Sequence, residues 1–286
     1  MRKKLNTNKP VKAYKNVDFL ISPDARTIRI LSEFLEPMRR FRMNGIKDTI
    51  VFFGSARVRP RREVLQVLRS LKHKARREGL SRSLKRKLDE AAIDYEMSRY
   101  YEDAVVLSRL LTKWSLSLVD GHRFVICSGG GPGIMEAANK GAFLAGGKSI
   151  GLNISLPSEQ YSNHYITPEL NEEFHYFFMR KFWFAYLAKA LVIFPGGYGT
   201  LDELFEMLTL LQTKKIRKKM SIVIYGTEYW NKVLNFEEMV RHHAISRRDL
   251  RLLKFCDDPQ EAFEYLKTEL TKNYLSGDVY PDNVES

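Results

Sequence analysis

LVIFPGGYGTLDELFEMLTLL (191–211) joins a run of four apolar residues to a turn with three glycines and then to an apolar helix pattern. Short apolar runs without polar alternation are typical of strands that are buried on both faces of a parallel sheet. After the turn, apolar residues recur every three or four positions, which indicates a helix that buries one face. This stretch therefore predicts a buried strand, a glycine-rich turn and a helix in direct succession.

The same unit recurs upstream, where TIVFF (49–53) and RFVIC (123–127) also run into small-residue turns. Further strands are predicted at 149–156, at 221–225 and, as a strand or an extended segment, at 173–178. Helices are predicted between them, at 91–119, 132–145, 179–190, 201–211, 228–240 and 258–270. Strands that alternate with helices indicate an α/β fold, here a Rossmann-like doubly wound parallel sheet with helices on both faces.

Three predicted strand ends carry small or glycine-rich turns, and ligands of such sheets bind at the carboxyl ends of the strands. Glycine lets a ligand approach the backbone closely, and a helix that starts there offers free N–H groups. These turns predict a phosphate-bearing ligand, with tight turns that bind nothing as the alternative. The candidate binding residues are Gly54, Ser55, Gly129, Gly130, Gly131, Gly133, Gly196, Gly197, Gly199 and Thr200.

Other nucleotide and catalytic motifs are missing from the sequence. GxxxxGK[ST] is absent, which argues against a P-loop ATPase, and SGGGPG (128–133) departs from the GxGxxG spacing of dinucleotide sites. No Gly-x-Ser-x-Gly elbow is present, and no His, Cys, Asp or Glu residues have metal-ligand spacing. His164 and His175 show no partner, so we expect ordinary packing or surface roles for them. We expect neither a metal nor a cofactor.

Thr200 and Glu203 allow two interpretations. Thr-x-x-Glu before an apolar helix is a capping box, which explains both residues without any function. Alternatively, the Glu203 carboxylate lies at the rim of a phosphate cradle, where it orients water or stabilises an oxocarbenium-like ribosyl centre.

Arg180 and Lys181 are predicted off the apolar face, in the first turn of their helix. Cations there oppose the helix dipole, so a nearby anion would compensate them. The alternative is a solvated pair on an exposed turn.

Basic residues are concentrated in one segment. Of the net charge of +13, residues 57–90 carry +9, from 13 Lys and Arg against 4 Asp and Glu. We predict a basic helical insert there. One interpretation of the insert is contact with nucleic-acid phosphates. The insert has no aromatic residue for base stacking, however, and a solvated helix is the favoured alternative.

The remaining composition indicates a folded, cytoplasmic protein. Cys127 and Cys256 lack both a disulfide framework and metal spacing, so both are predicted to be reduced core residues. No apolar segment follows the basic start, which argues against a signal peptide, and no run of about 18 apolar residues predicts a membrane helix.

Three motifs occur in a fixed order: SGGGPGIMEAANKGA (128–142), MRK (179–181) and PGGYGTLDELFE (195–206). In order and spacing they resemble the Lonely Guy family, over roughly residues 48–270. The resemblance implies hydrolysis of the N-glycosidic bond of nucleoside 5′-monophosphates, with cytokinin-type substrates in plants and AMP, as for an AMP nucleosidase, in bacterial relatives. It also implies a homodimer.

By this resemblance, Arg180 and Glu203 are catalytic, and the three turns, with Lys181, bind the phosphate or the nucleotide. An older label, lysine decarboxylase, requires a Schiff-base lysine on pyridoxal phosphate, and neither glycine-rich loop contains a lysine. A related alternative is a carrier or regulatory protein that binds a nucleotide or a molybdenum cofactor without turnover.

The sequence departs from the compact family pattern in three places: an N-terminal extension, the basic insert and an aromatic helix. We predict an N-terminal extension (1–47), a Rossmann-like domain of the Lonely Guy type (48–274) that contains the basic insert (57–90), and a C-terminal tail (275–286). The helix after Phe178 is also unusually aromatic.

Overall fold

The computed structural model describes residues 10–118, 123–156 and 161–276. Its centre is a parallel sheet of seven strands in the order β4-β3-β2-β1-β5-β6-β7. The strands are β1 (Thr49–Phe53), β2 (Val125–Ser128), β3 (Ser149–Ile154), β4 (Asn171–Phe174), β5 (Ala188–Ile193), β6 (Ser221–Tyr225) and β7 (Leu253–Cys256). Most of the predicted C-terminal tail and the start of the N-terminal extension lie outside the described residues.

Ten α-helices lie in the described ranges. They are α1 (Val17–Ile21), α2 (Arg26–Met43), α3 (Arg61–Glu78), α4 (Arg82–Ser117), α5 (Ile134–Leu144), α6 (Phe177–Leu187), α7 (Tyr198–Gln212), α8 (Thr227–Val233), α9 (Phe236–Arg241) and α10 (Pro259–Tyr274). Within the same ranges, no helix is both long enough and apolar enough to cross a membrane.

Two hydrophobic cores lie on opposite faces of the sheet, as alternation along β1 shows. Ile50 and Phe52 point into a core formed with α4, α5 and α10. Val51 and Phe53 point into the other core, which packs against α2, α6 and α7. Successive side chains of a strand point to opposite faces, so both faces of an apolar strand require a covering layer. The predicted doubly wound α/β fold is confirmed.

Several predicted boundaries were wrong. Residues 173–178 are not one strand, because β4 ends at Phe174 and α6 begins at Phe177. The predicted helix 179–190 ends at Leu187, and β5 takes up Ala188–Ile193 because it pairs with β1 from Ala188 onward. The predicted helix 228–240 is divided into α8 and α9, where the Asn235 side chain accepts a hydrogen bond from the Glu238 N–H and starts a new helix.

The basic insert is helical, as predicted, and contains α3 and the start of α4 (82–90). Helix α3 and the first half of α4 form a helical hairpin. The predicted helix 91–119 is therefore only the second part of a longer one. Gly79, with φ of +80°, ends α3, and the Ser81 hydroxyl accepts from the Leu84 N–H to start α4.

The predicted extension (1–47) is partly integrated into the domain, because α2 packs beside α6. The Glu33 carboxylate of α2 accepts hydrogen bonds from the N–H groups of His175 at 2.8 Å and Tyr176 at 3.2 Å, at the start of α6. The Trp183 indole donates to Glu33 O at 3.0 Å. An acidic side chain at a helix N-terminus satisfies free N–H groups and the dipole. Helix α2 therefore helps to place α6.

Candidate active site

The three predicted turns meet at the carboxyl edge of the sheet, because β2, β1 and β5 are neighbours at its centre. The Ser55 N–H donates to Pro195 O at 2.9 Å, and Ser55 O accepts from the Ile134 N–H at 3.1 Å. The chain continues from β1 to strands on one side and later crosses to β5 on the other. This reversal of strand order opens a crevice of the kind in which doubly wound sheets bind ligands.

Close packing between the turns requires glycine at two positions. A Cβ on Gly133, whose φ is +72°, would lie 2.3 Å from Ser55 O. A Cβ on Gly196 would lie 2.1 Å from Thr200 Oγ1. Neither neighbour can yield easily, since one is backbone and the other sits in the first turn of α7. These glycines bring the loops together whether or not a ligand binds.

Open space lies above Gly197 and Gly199. A Cβ at either residue would meet no heavy atom of the described chain within 4 Å. Helix α7 begins here, and no side chain of the described residues caps it. The Leu201 N–H makes the first hydrogen bond inside the helix, to Gly197 O at 3.0 Å. The earlier N–H groups and the positive end of the dipole are therefore available to an anion.

The capping-box interpretation of Thr200 and Glu203 is wrong. The N-cap of α7 is Gly197, so Thr200 is the third residue of the helix and Glu203 lies a turn further in. Both residues are buried. Their spacing puts them on one face of α7, with Cβ atoms about 5–6 Å apart.

Arg180 of α6 faces Glu203 of α7. Arg180 Nη2 lies 3.6 Å from Glu203 Oε1, and the two side chains are 15% and 6% exposed. This distance is too long for a hydrogen bond. Arg180 Nε and Glu203 Oε1 are buried and have no hydrogen-bond partner among the described residues. Buried polar atoms are nearly always hydrogen-bonded, so an unsatisfied pair is suited to receive a ligand or a water molecule.

The environment of the pair changes both protonation equilibria. Burial raises the pKa of Glu203 to about 7, and the charges of Arg180 and Lys181 counteract only part of that increase. Burial lowers the pKa of Arg180, which nevertheless remains a cation, as guanidinium groups in proteins do. The Arg180 guanidinium also lies 5.2 Å from the ring centre of Phe177 and 5.6 Å from that of Phe184. Glu203 is thus able to gain or lose a proton near neutral pH.

Lys181 is held by two carboxylates. Its Nζ lies 2.7 Å from Asp202 Oδ2 and 2.8 Å from Glu206 Oε2, and its side chain is 18% exposed. The alternative of a solvated Arg180–Lys181 pair is therefore wrong. The two ion pairs of Lys181 tie α6 to α7 and so fix the approach of Arg180 to Glu203. A contact between Lys181 and a ligand stays a prediction.

A buried amide network supports the first glycine-rich loop, and sequence reasoning missed it. Asn163 Nδ2 donates to Gly130 O at 2.9 Å, to Gly131 O at 3.1 Å and to Asn139 Oδ1 at 3.0 Å. The Ser128 hydroxyl donates to the same Asn139 oxygen at 2.7 Å. The only sequence signal was an asparagine on the small-residue face of α5. Asn163 follows in a loop with no motif.

Comparison with known proteins finds a family model and plant relatives to which part of this chain is similar. A family model described as "Possible lysine decarboxylase" matches residues 135–266. A probable cytokinin riboside 5′-monophosphate phosphoribohydrolase of Oryza sativa subsp. japonica is 27% identical over 171 residues. That match covers 59% of this chain and 64% of the rice protein. A cytokinin riboside 5′-monophosphate phosphoribohydrolase of Arabidopsis thaliana is also 27% identical, over 59% of this chain and 74% of its own. The resemblance inferred from the motifs is confirmed.

Solved structures give weaker matches. The molybdenum cofactor binding protein from Rippkaea orientalis is 17% identical, with a TM-score of 0.43 over 60% of this chain and 88% of its own. The molybdenum cofactor carrier protein from Chlamydomonas reinhardtii is 22% identical, with a TM-score of 0.39 over 59% and 89%.

Proposed function

We propose that this chain, which resembles the Lonely Guy phosphoribohydrolases, hydrolyses the N-glycosidic bond of a nucleoside 5′-monophosphate, releasing the free base and ribose 5-phosphate. One observation carries the proposal: a buried carboxylate and a buried guanidinium, each with an unsatisfied polar atom, face each other beside an open, uncapped helix N-terminus. Hydrolysis of a nucleoside monophosphate is served by this combination, an anion site for the phosphate and a carboxylate next to the sugar.

The phosphate group would bind at the start of α7. Gly197 and Gly199 leave room for its oxygens, and the N–H groups of the first turn donate to them. With the phosphate there, Glu203 lies one helical turn away, which is within the reach of a ribose ring. The turns at Gly54-Ser55 and Gly129–Gly131 form the neighbouring walls of the crevice.

Cleavage breaks the bond between the ribose anomeric carbon and the base nitrogen, and the bonding electrons leave with the base. The ionised Glu203 carboxylate stabilises the positive charge that develops on the ribosyl centre and accepts a proton from the attacking water. The water oxygen forms the new bond to the anomeric carbon. Arg180 holds phosphate or ribose oxygens, and the proton taken up by Glu203 can pass to the departing base. No step calls for a metal or a redox group.

Lysine decarboxylation does not fit these residues. Pyridoxal phosphate would need a lysine amine that is free to form a Schiff base. Burial would lower the pKa of Lys181, but hydrogen bonds to Asp202 and Glu206 outweigh it and the pKa is raised. Lys181 is therefore held as an ion-paired cation.

We also propose a homodimer that uses the face formed by α2 and α6. Both helices bury one side in the hydrophobic core and expose large apolar side chains on the other. They are Leu31, Leu35, Phe178, Phe182 and Tyr186. Exposed apolar patches mark interaction surfaces, and one of the two helices of this face, α6, carries Arg180. Light scattering of the purified chain tests it: a monomer mass at micromolar concentration would contradict the proposal.

The substrate test is base release from a panel of nucleoside 5′-monophosphates, with AMP and cytokinin-type monophosphates included, followed by chromatography. We expect release from at least one of them, and none from the matching nucleosides without phosphate. Glu264→Gln serves as a control, because Glu264 is an exposed carboxylate of α10, which packs on the opposite face of the sheet from α6 and α7. Tight nucleotide binding with no base release would instead indicate the carrier alternative.

A further inference from the structure

The helical hairpin of α3 and the first half of α4 extends past the ligand-binding edge of the sheet. Helix α4 has 36 residues, which is about 54 Å of helix, whereas strands of five residues span about 17 Å. Its last turn lies at the amino edge, where the Ser115 hydroxyl bonds to Arg123 O just before β2. Tyr101 lies at the other edge, bonded to Glu136 in the first turn of α5. Tyr100 and Met97 still pack against the core of the sheet, so the residues of α4 before Met97 are the ones that project beyond the sheet.

Helix α3 packs on this projecting part and turns a row of cations to solvent. Its buried or half-buried side is apolar and faces α4, with Val64 fully buried. Along a flank of α3, about 100° around the helix from the centre of this apolar side, cations recur every three, four or seven positions, which aligns them with one another. They are Arg62, Arg69, Lys72 and Arg76, all exposed.

These four cations have no counter-charge. None of them forms an ion pair or a hydrogen bond with any residue in the described ranges, whereas nearby Lys74 and Arg86 are paired with Glu78 and Glu90. Like charges at these spacings repel one another, so the row is unfavourable for the isolated helix. A polyanion laid along α3 would remove the repulsion.

We propose that the exposed flank of α3 that carries this row binds the phosphate backbone of duplex DNA. Helix α3 is one exposed layer of the hairpin, and a helix about 10–12 Å in diameter fits a B-form major groove about 12 Å wide. Residues 57–90 contain no aromatic side chain for stacking on single-stranded bases. A membrane surface is less suited, because the apolar side of α3 is covered by α4. A second copy is also less suited, since the chain outside 57–90 carries a net charge of +4 (+13 less +9).

The test is fluorescence anisotropy of the full chain with a labelled 24-base-pair duplex at 50 and 200 mM KCl. Four phosphate contacts predict a loss of affinity of at least about 100-fold between these salt concentrations. A variant that removes the row should bind at least tenfold more weakly at 50 mM. The slope of its log binding constant against log[KCl] should be less negative than that of the wild type by about 3 to 4. Its substitutions are Arg62→Gln, Arg69→Gln, Lys72→Gln and Arg76→Gln.

A matched control removes four exposed cations from the loop between α7 and β6, at the amino edge of the sheet. Its substitutions are Lys214→Gln, Lys215→Gln, Arg217→Gln and Lys219→Gln. Both variants have the same net charge, so equal weakening of DNA binding would overturn the proposal in favour of a general charge effect. Absence of wild-type binding at 50 mM would overturn it too, as would binding to phosphatidylserine vesicles but not to the duplex.

Base release measures whether the variants are folded, and it separates this proposal from the proposed function. The row lies on the projecting hairpin and not in the crevice, so we expect both variants to release base at the wild-type rate. If the wild type releases no base from any substrate, circular dichroism serves as the folding control, and the DNA measurement still decides the inference.

Discussion

Replacing Glu203 by glutamine should stabilise the protein, and only above acidic pH. The pKa of Glu203 is raised from 4.5 to about 7 by burial, and each pKa unit corresponds to about 1.4 kcal/mol. An ionised Glu203 therefore costs the folded state about 3 kcal/mol. Glutamine has nearly the shape of the protonated acid and never carries this charge.

The sign follows from the protons that each state binds. Between pH 4.5 and 7 the folded state keeps the Glu203 proton that the unfolded chain has released, so the contribution of Glu203 to stability is present below pH 4.5 and is lost as pH rises through 7. At pH 8 we expect Glu203→Gln to raise the free energy of unfolding by about 3 kcal/mol, and at pH 4.5 by about 0.4 kcal/mol.

The assay is urea unfolding of wild type and variant at both pH values, followed by circular dichroism. Glu264→Gln is the control, because Glu264 is an exposed carboxylate of α10 on the opposite face of the sheet from Glu203. A gain in unfolding free energy of the same size at pH 4.5 and pH 8, or a loss at pH 8, would refute the idea that burial of the Glu203 charge destabilises the folded state.

Three further outcomes are expected. With ionised Glu203 as the base, kcat/KM should rise with pH through about 7. Arg180→Gln should move this rise to higher pH, because Arg180 lowers the pKa of Glu203. A fall of kcat/KM through pH 7 would make Glu203 a general acid. Gly199→Ala should leave thermal stability unchanged or improved but raise KM for the monophosphate at least tenfold. Gly133→Ala should instead impair folding, because its Cβ would meet Ser55 O. An equal KM for Gly199→Ala and wild type would show that the phosphate does not bind at this loop. Asn139→Ala should cost about 2–4 kcal/mol in urea unfolding, because it leaves buried partners unsatisfied; a cost below about 1 kcal/mol would contradict the role of the amide network.

The sheet and the three turns could be predicted because apolar runs and glycine patterns are local signals. The start of β5 could not, since Ala188-Lys189-Ala190 suits a helix by propensity and becomes strand through pairing with β1. Lys189 is buried there, with its amine 3.5 Å from Asp48 Oδ1. An ion pair between residues so distant in sequence leaves no pattern that a single chain reveals.

The candidate site, too, could be predicted only in part from the sequence. The motifs predicted Arg180 and Glu203 as partners in function, but their burial depends on how α6 and α7 pack. That packing rests on long-range contacts of Glu33 with the start of α6 and of Lys181 with Asp202 and Glu206. The capping box was an equally good local explanation of Thr200 and Glu203, and only the observed helix start at Tyr198 excludes it.

The most direct test of the Arg180–Glu203 centre measures turnover and binding on the same variant. We expect Glu203→Gln to bind the preferred nucleoside 5′-monophosphate within about tenfold of the wild-type affinity by calorimetry, because the phosphate loop is intact. Its rate of base release should fall at least about 1,000-fold, which corresponds to about 4 kcal/mol of transition-state stabilisation. Base release by Glu203→Gln at the wild-type rate would contradict the account, because the buried carboxylate would then have no part in the reaction.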